Sequence, residues 1–155
     1  MHQLIDNVAG RLCIIAAGVF FLSGLLTGAW KYFHIARSPT ATAPVYVDIA
    51  HRTSLLYSFA SMLLAPFAVL SAWDIRVNFL ACAALITFFG AAIAGYVTHG
   101  LLRDTDNQFV KPYHVGKLPM PGVMIHGFMW ILMFAEIGGF LVLFSGVIAT
   151  MRVAA

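Results

Sequence analysis

Four long apolar stretches, at about residues 8–30, 49–72, 77–100 and 123–151, constrain this chain more than anything else in it. Each exceeds the roughly 20 residues a helix needs to cross a hydrocarbon core. In lipid every backbone N–H and C=O must be paired within the protein, which leaves helices and closed barrels as the only spanning structures. Continuous apolar runs of this length, without strand-like alternation, predict helices. The sequence therefore predicts an all-α integral membrane protein, a four-helix up-down bundle forming a single transmembrane domain over residues 1–155.

Composition supports the same solvent. The chain is 61% hydrophobic and 10% charged, against about 25% charged in ordinary soluble domains. A domain of this size cannot hide that much apolar surface from water, so the surrounding medium is lipid. The formal net charge of +3 then reads as loop charge that sets topology, not as a nucleic-acid surface, and no nucleic-acid partner is expected. The first apolar run is too long and too late for a cleaved secretory signal, and is read as a retained span.

The links order the spans. Only Trp73, Asp74, Ile75 and Arg76 separate the second from the third, which forces an antiparallel hairpin. The links at 31–48 and 101–122 are longer and rich in Pro, Gly and charge. Both termini and the short turn then share one membrane face, and the two long loops share the other. The long-loop face carries Lys31, Arg37, Arg52, Arg103, Lys111 and Lys117, and the opposite face only Arg11, Arg76 and Arg152. The positive-inside rule puts the long loops in the cytoplasm and the termini outside, in a bacterial inner membrane.

This topology gathers histidines. His51 opens the second span, His99 closes the third beside Tyr96, His126 opens the fourth, and His34 and His114 lie in the long loops. Five of the six histidines thus collect at one mouth of the bundle. Asp48 is expected to cap the second helix, with His51 in its first turn. Steps of three and four residues from His51 give Ser54, Ser58, Ser61 and Ala65, one stripe of small polar side chains on a greasy helix. That stripe is read as facing a bound cofactor.

A neutral imidazole at a span end is a ready axial ligand for haem iron, and the serines below it leave room for a flat macrocycle. The plain alternative is an imidazole bonded to a loop carbonyl. Tyr96 and His99 share a helix face, where Tyr96 either donates to a substrate oxygen or anchors the interface. His126 and His99 are candidates for a second axial ligand. Glu136 lies near the bilayer middle, either protonated and hydrogen-bonded or handling protons. Arg52 is placed to pair with Asp48 or with a haem propionate. Along the first span Gly10, Ala17, Gly24 and Gly28 read as a close helix-packing face.

Other chemistries lack their signatures. Cys13 and Cys82 form no CxxC pair and read as buried structural thiols, which disfavours a disulfide-forming oxidoreductase. No HExxH zinc spacing and no GxSxG elbow occurs.

The stretch from His51 to the fourth span resembles the four-helix membrane isomerases typified by styrene oxide isomerase. The resemblance rests on Ala50-His51 opening the second span, the hairpin around Asp74, Gly95-Tyr96 closing the third, the interval between the histidine and the tyrosine, and the loop Leu118-Pro-Met-Pro-Gly122. It implies a homotrimer holding haem b at subunit contacts, with His51 as axial ligand and Tyr96 positioning a small hydrophobic aryl epoxide. The implied reaction is Lewis-acid ring opening and hydride migration to an aldehyde. Arg52, Ser54 and Ser58 are then expected around the cofactor. Where the family has an asparagine two turns below the histidine that helps seat the substrate, this chain has Tyr57, implied as a second catalytic residue whose phenol can still donate a hydrogen bond but shapes a different pocket.

The rival readings are an electron-transfer or sensor subunit with haem between His51 and a second histidine, and an accessory subunit without cofactor.

Overall fold

The computed structural model describes residues 2–154. A short helix α1 (His2–Asp6) precedes α2 (Val8–Arg37), α3 (Val45–Leu70) and α4 (Ile75–Leu102). A small hairpin of β1 (His114–Val115) and β2 (Leu118–Pro119) follows, and α5 (Gly122–Ala154) ends the chain. The protein is an all-α bundle of four long helices, each long and apolar enough to cross a membrane.

The helices extend beyond their apolar cores in ways the local chemistry explains. α2 continues past Trp30 to Arg37, and its last turn carries His34 and Arg37, cations that suit the negative helix end. It stops at Ser38, whose position before Pro39 disfavours helical backbone. At its other end Asn7 caps the helix by accepting from the amides of Ala9 and Gly10, at 2.9 and 3.1 Å. α3 begins at Val45, one turn earlier than expected. Pro44 occupies the cap position with φ −54°, a backbone angle already suited to helix entry. Asp48 is therefore not the N-cap. It lies in the first turn, where its carboxylate pairs with Lys31 of α2 and with Arg52 Nε at 2.9 Å. Between α3 and α4, Asp74 caps α4 by accepting from the Arg76 amide at 2.8 Å.

Packing is uneven. The α2–α3 contact is the most extensive; α3 with α4 and α4 with α5 follow, and α2–α4 and α3–α5 contacts are smaller. α3 and α4 thus form the central pair, with α2 and α5 on either side. α5 is the least covered of the four. The core holds Ala9, Cys13, Ala65, Cys82 and Leu143, all fully or almost fully buried. Cys13 and Cys82 are free thiols within it, as read from their positions in the spans. The β1–β2 hairpin was not legible as strands; it turns through Gly116, whose φ of 61° suits glycine.

Candidate functional site

His51 sits on the face of α3 that packs against α2, and its Nδ1 lies 2.8 Å from the carbonyl oxygen of Gly24. A carbonyl only accepts, so Nδ1 carries the proton and donates. In the neutral imidazole this leaves the Nε2 lone pair free, and no described residue hydrogen-bonds Nε2. The ring reaches this place because α2 offers glycines there. A Cβ on Gly28 would lie 2.8 Å from His51 Cε1, and one on Gly24 would lie 2.5 Å from Leu55 Cδ2. The Gly24-xxx-Gly28 pair read as a packing face thus also seats the imidazole.

In the serine stripe, Ser54, Ser58 and Ser61 are buried in the interior. Ser58 Oγ donates across the seam to the Ala17 carbonyl at 2.9 Å, and Ser54 Oγ donates to its own helix at Ala50 O, 2.7 Å away, while approaching Ser23 Oγ at 3.5 Å. Ser54 and Ser58 therefore lie at the α2–α3 contact. Ser61 Oγ is 0% exposed and has no partner. Arg52 pairs with Asp48 and is 65% exposed.

The tyrosines belong to another region. Tyr57 stacks on Phe89 of α4 with ring centroids 4.0 Å apart, and its hydroxyl donates to Glu136 Oε1 of α5 at 3.1 Å. Glu136 is therefore hydrogen-bonded, as one of its two readings required. Tyr96 stacks at 6.0 Å on Tyr46 of α3. It lines a narrow cavity of about 30 Å³ with Gln108, Phe128, Met129 and Leu132. Gln108, Phe128 and Met129 also line a separate, wider apolar cavity of about 240 Å³ with Met120 and Met124.

The other histidines of the mouth are each engaged elsewhere. His99 is 5% exposed, with Nδ1 2.8 Å from Asp104 Oδ1 and its ring 4.9 Å from that of Tyr46. Its Nδ1 is thus tied to Asp104, and the ring is packed between that carboxylate and Tyr46. His126 Nε2 lies 3.0 Å from the Tyr113 hydroxyl, on the exposed side of α5. His34 faces Arg103. Among the described residues no group of three or more His, Cys, Asp or Glu side chains is placed to hold a metal ion. The histidines share a mouth but form no common centre.

Asp104, which carried no sequence signal, organises the second long loop. Its carboxylate accepts from His99 and from the Gly116 amide, and its backbone carbonyl lies 2.8 Å from His114 Nε2. Burial opposes its ionisation, but the Gly116 amide and His99 outweigh that and hold its pKa below the ordinary carboxylate value. His114 Nδ1 lies 2.8 Å from the Pro112 carbonyl. Both its nitrogens thus face acceptors, which only the doubly protonated ring satisfies. The Asp104 and Pro112 carbonyls raise its pKa accordingly.

Comparison with protein-family models, curated proteins and solved structures finds no match for this chain.

Proposed function

We propose that this chain is a haem b-dependent membrane isomerase that converts a small hydrophobic aryl epoxide to an aldehyde. On this reading it works as a homotrimer in a bacterial inner membrane with its long loops in the cytoplasm. The observation that carries the proposal is the His51 bond to Gly24 O at 2.8 Å. Metal-ligating histidines characteristically donate their other ring nitrogen to a carbonyl or carboxylate, which sets the tautomer and the ring direction. His51 has that arrangement, with Nε2 left as the donor atom. An imidazole so held fits the ligand that haem b requires, and Arg52, exposed beside it, suits a propionate.

Bound to His51, ferric haem would supply a Lewis-acidic iron for the epoxide oxygen, with no net redox change. The chain's own part is to fix the imidazole, orient the epoxide and exclude water. The Tyr96 hydroxyl, at its narrow cavity, is the donor for substrate orientation. Tyr57, bonded to Glu136 of α5 and stacked on Phe89 of α4, ties these helices together. Since His51 faces α2 and Tyr96 faces the α4–α5 side, the proposal places the haem at a contact between copies, where Tyr96 need not serve its own chain's His51.

A bis-histidine electron carrier is less well supported, because His99 is buried beside Asp104 and His126 lies exposed on α5, and neither is grouped with His51. The absorption spectrum of the purified protein, followed by aryl epoxide, tests the proposal. Expected are a red protein with an open sixth site and aldehyde formation. His51→Ala should lose the haem; Tyr96→Phe should keep it and turn over about 10²-fold more slowly. A colourless preparation from haem-replete cells, or haem retained by His51→Ala, overturns it. A six-coordinate low-spin spectrum transfers the case to the electron carrier.

A further inference from the structure

A second site lies at the same membrane face, away from His51. An open cleft of about 550 Å³ is walled by the end of α2 (Phe33, His34, Arg37), the following loop (Ser38, Thr42), the start of α3, the end of α4 (Arg103) and Asp106 of the second long loop. Its cations lack acidic partners. Among the described residues the ion pairs join Lys31 and Arg52 to Asp48 and His99 to Asp104. Arg37 and Arg103 reach no carboxylate within 4 Å, Asp106 included.

Both guanidiniums are nevertheless held in place. Arg37 lies 3.5 Å over the Phe33 ring, a cation–π arrangement that leaves its N–H fork free. Arg103 is the C-cap of α4, in left-handed backbone with φ 49° and ψ 39°. Its Nη2 approaches His34 at 3.3 and 3.5 Å from the two ring nitrogens. Ser38, Thr40 and Thr42 form a hydroxyl cluster on the loop wall, with oxygens 2.9 to 3.4 Å apart. Two fixed guanidiniums, hydroxyl donors and a cavity large enough for a headgroup are the chemistry that binds a phosphate group. The exposed Tyr32 and Phe33 lie beside it on α2.

We propose that this cleft binds a phosphate group, carried by an anionic phospholipid headgroup or by a soluble phosphate ester. The full chain, purified in detergent, is tested with two probes. Phosphatidylglycerol is read as adducts retained in native mass spectrometry. Inorganic phosphate is read as a rise in melting temperature over chloride at equal ionic strength.

Wild type is expected to take at least one probe, and Arg37→Gln combined with Arg103→Gly to take it about tenfold more weakly or less. Glycine is chosen at Arg103 because that backbone suits it, so the variant folds. Arg37→Lys, which keeps charge but not the fork, should fall between. Arg76→Gln, on the opposite membrane face, should bind as wild type. Retention of phosphatidylglycerol alone identifies a lipid site, and a response to inorganic phosphate identifies a soluble ester. If wild type takes neither probe, or the double variant binds like wild type, the proposal is overturned.

Discussion

The two flanks of the α3–α4 pair use different chemistry to solve the same problem. On the α2 side the contact is made of Gly, Ala, Ser and Cys, and its polar groups bond mainly to backbone carbonyls: His51 to Gly24, Ser58 to Ala17. On the α5 side rings and thioethers predominate; Tyr57 pairs with Glu136 and Trp73 with Ser145, Thr150 bonds the Leu70 carbonyl, and space is left at Tyr96. In lipid, apolar burial does not drive helices together, so close backbone approach and hydrogen bonds must do so. The α2 seam takes that route and leaves no room. The α5 side is looser and keeps a cavity.

The largest expected effect tests whether the α2 seam positions the imidazole. Gly28→Ala puts a methyl 2.8 Å from His51 Cε1, closer than such contacts allow, so the ring or the helix must shift. Overpacking of this kind costs about 1–3 kcal/mol. Loss of the Gly24 bond should also lower haem affinity by about 10–100-fold. Haem titration of the variant beside Gly18→Ala, whose added Cβ meets nothing within 4 Å, is the measurement. Equal affinity in the two would remove the seam from the ligand argument.

How much of this arrangement the sequence makes legible follows from the same contrast. Helix number and order are visible because lipid imposes length and apolarity on every span. The Gly24-xxx-Gly28 face and a polar opening to the second span are visible because both repeat at helical spacing. What spacing cannot supply is the partner across a helix contact. The stripe below His51 is correctly periodic, but spacing does not show that Ser54 and Ser58 meet α2, whose glycines allow that close approach. Asp48 looks like a cap until Pro44 starts the helix a turn earlier. His51, His99 and His126 share a mouth, yet Asp104 and Tyr113 take two of them. Asp104, Tyr46 and Gln108 carry no local pattern, and their roles arise only when the second long loop folds back over α3 and α4.

Hydrogen-bond deletions in the two flanks sharpen the comparison at smaller scale. Tyr57→Phe removes the bond to Glu136 and leaves a carboxyl in an apolar setting, so about 1 kcal/mol of stability should be lost. Ser58→Ala removes a bond to the Ala17 carbonyl, worth about 0.6 kcal/mol in a membrane interior. Ser61→Ala deletes a buried hydroxyl that has no partner, and should be neutral or slightly stabilising. Unfolding in mixed micelles by a denaturing detergent gives the three values. A loss at Ser61 as large as at Ser58 would mean that the stripe contributes through packing volume and not through its hydrogen bonds.

The smallest effect is confined to the second long loop and depends on pH. His114 satisfies the carbonyls of Asp104 and Pro112 together only as the imidazolium, and its pKa is raised from the ordinary value of 6.5. A raised folded-state pKa gives stabilisation that is complete below the unfolded value and is lost as pH climbs through the folded one. Asp104 works in the other direction. Its pKa is lowered from 3.8, so its contribution is complete above that value and is lost only on acidification through the folded pKa. The loop should therefore be tightest in mildly acid solution, between the two titrations. Hydrogen exchange at the Gly116 amide, corrected for the intrinsic pH dependence, should show protection falling as pH rises through the raised His114 titration. His114→Gln keeps one donor and removes the charge, so that step should flatten while the acid limb set by Asp104 persists. A step unchanged in His114→Gln would assign the transition to another group and leave the hairpin held by Asp104 alone.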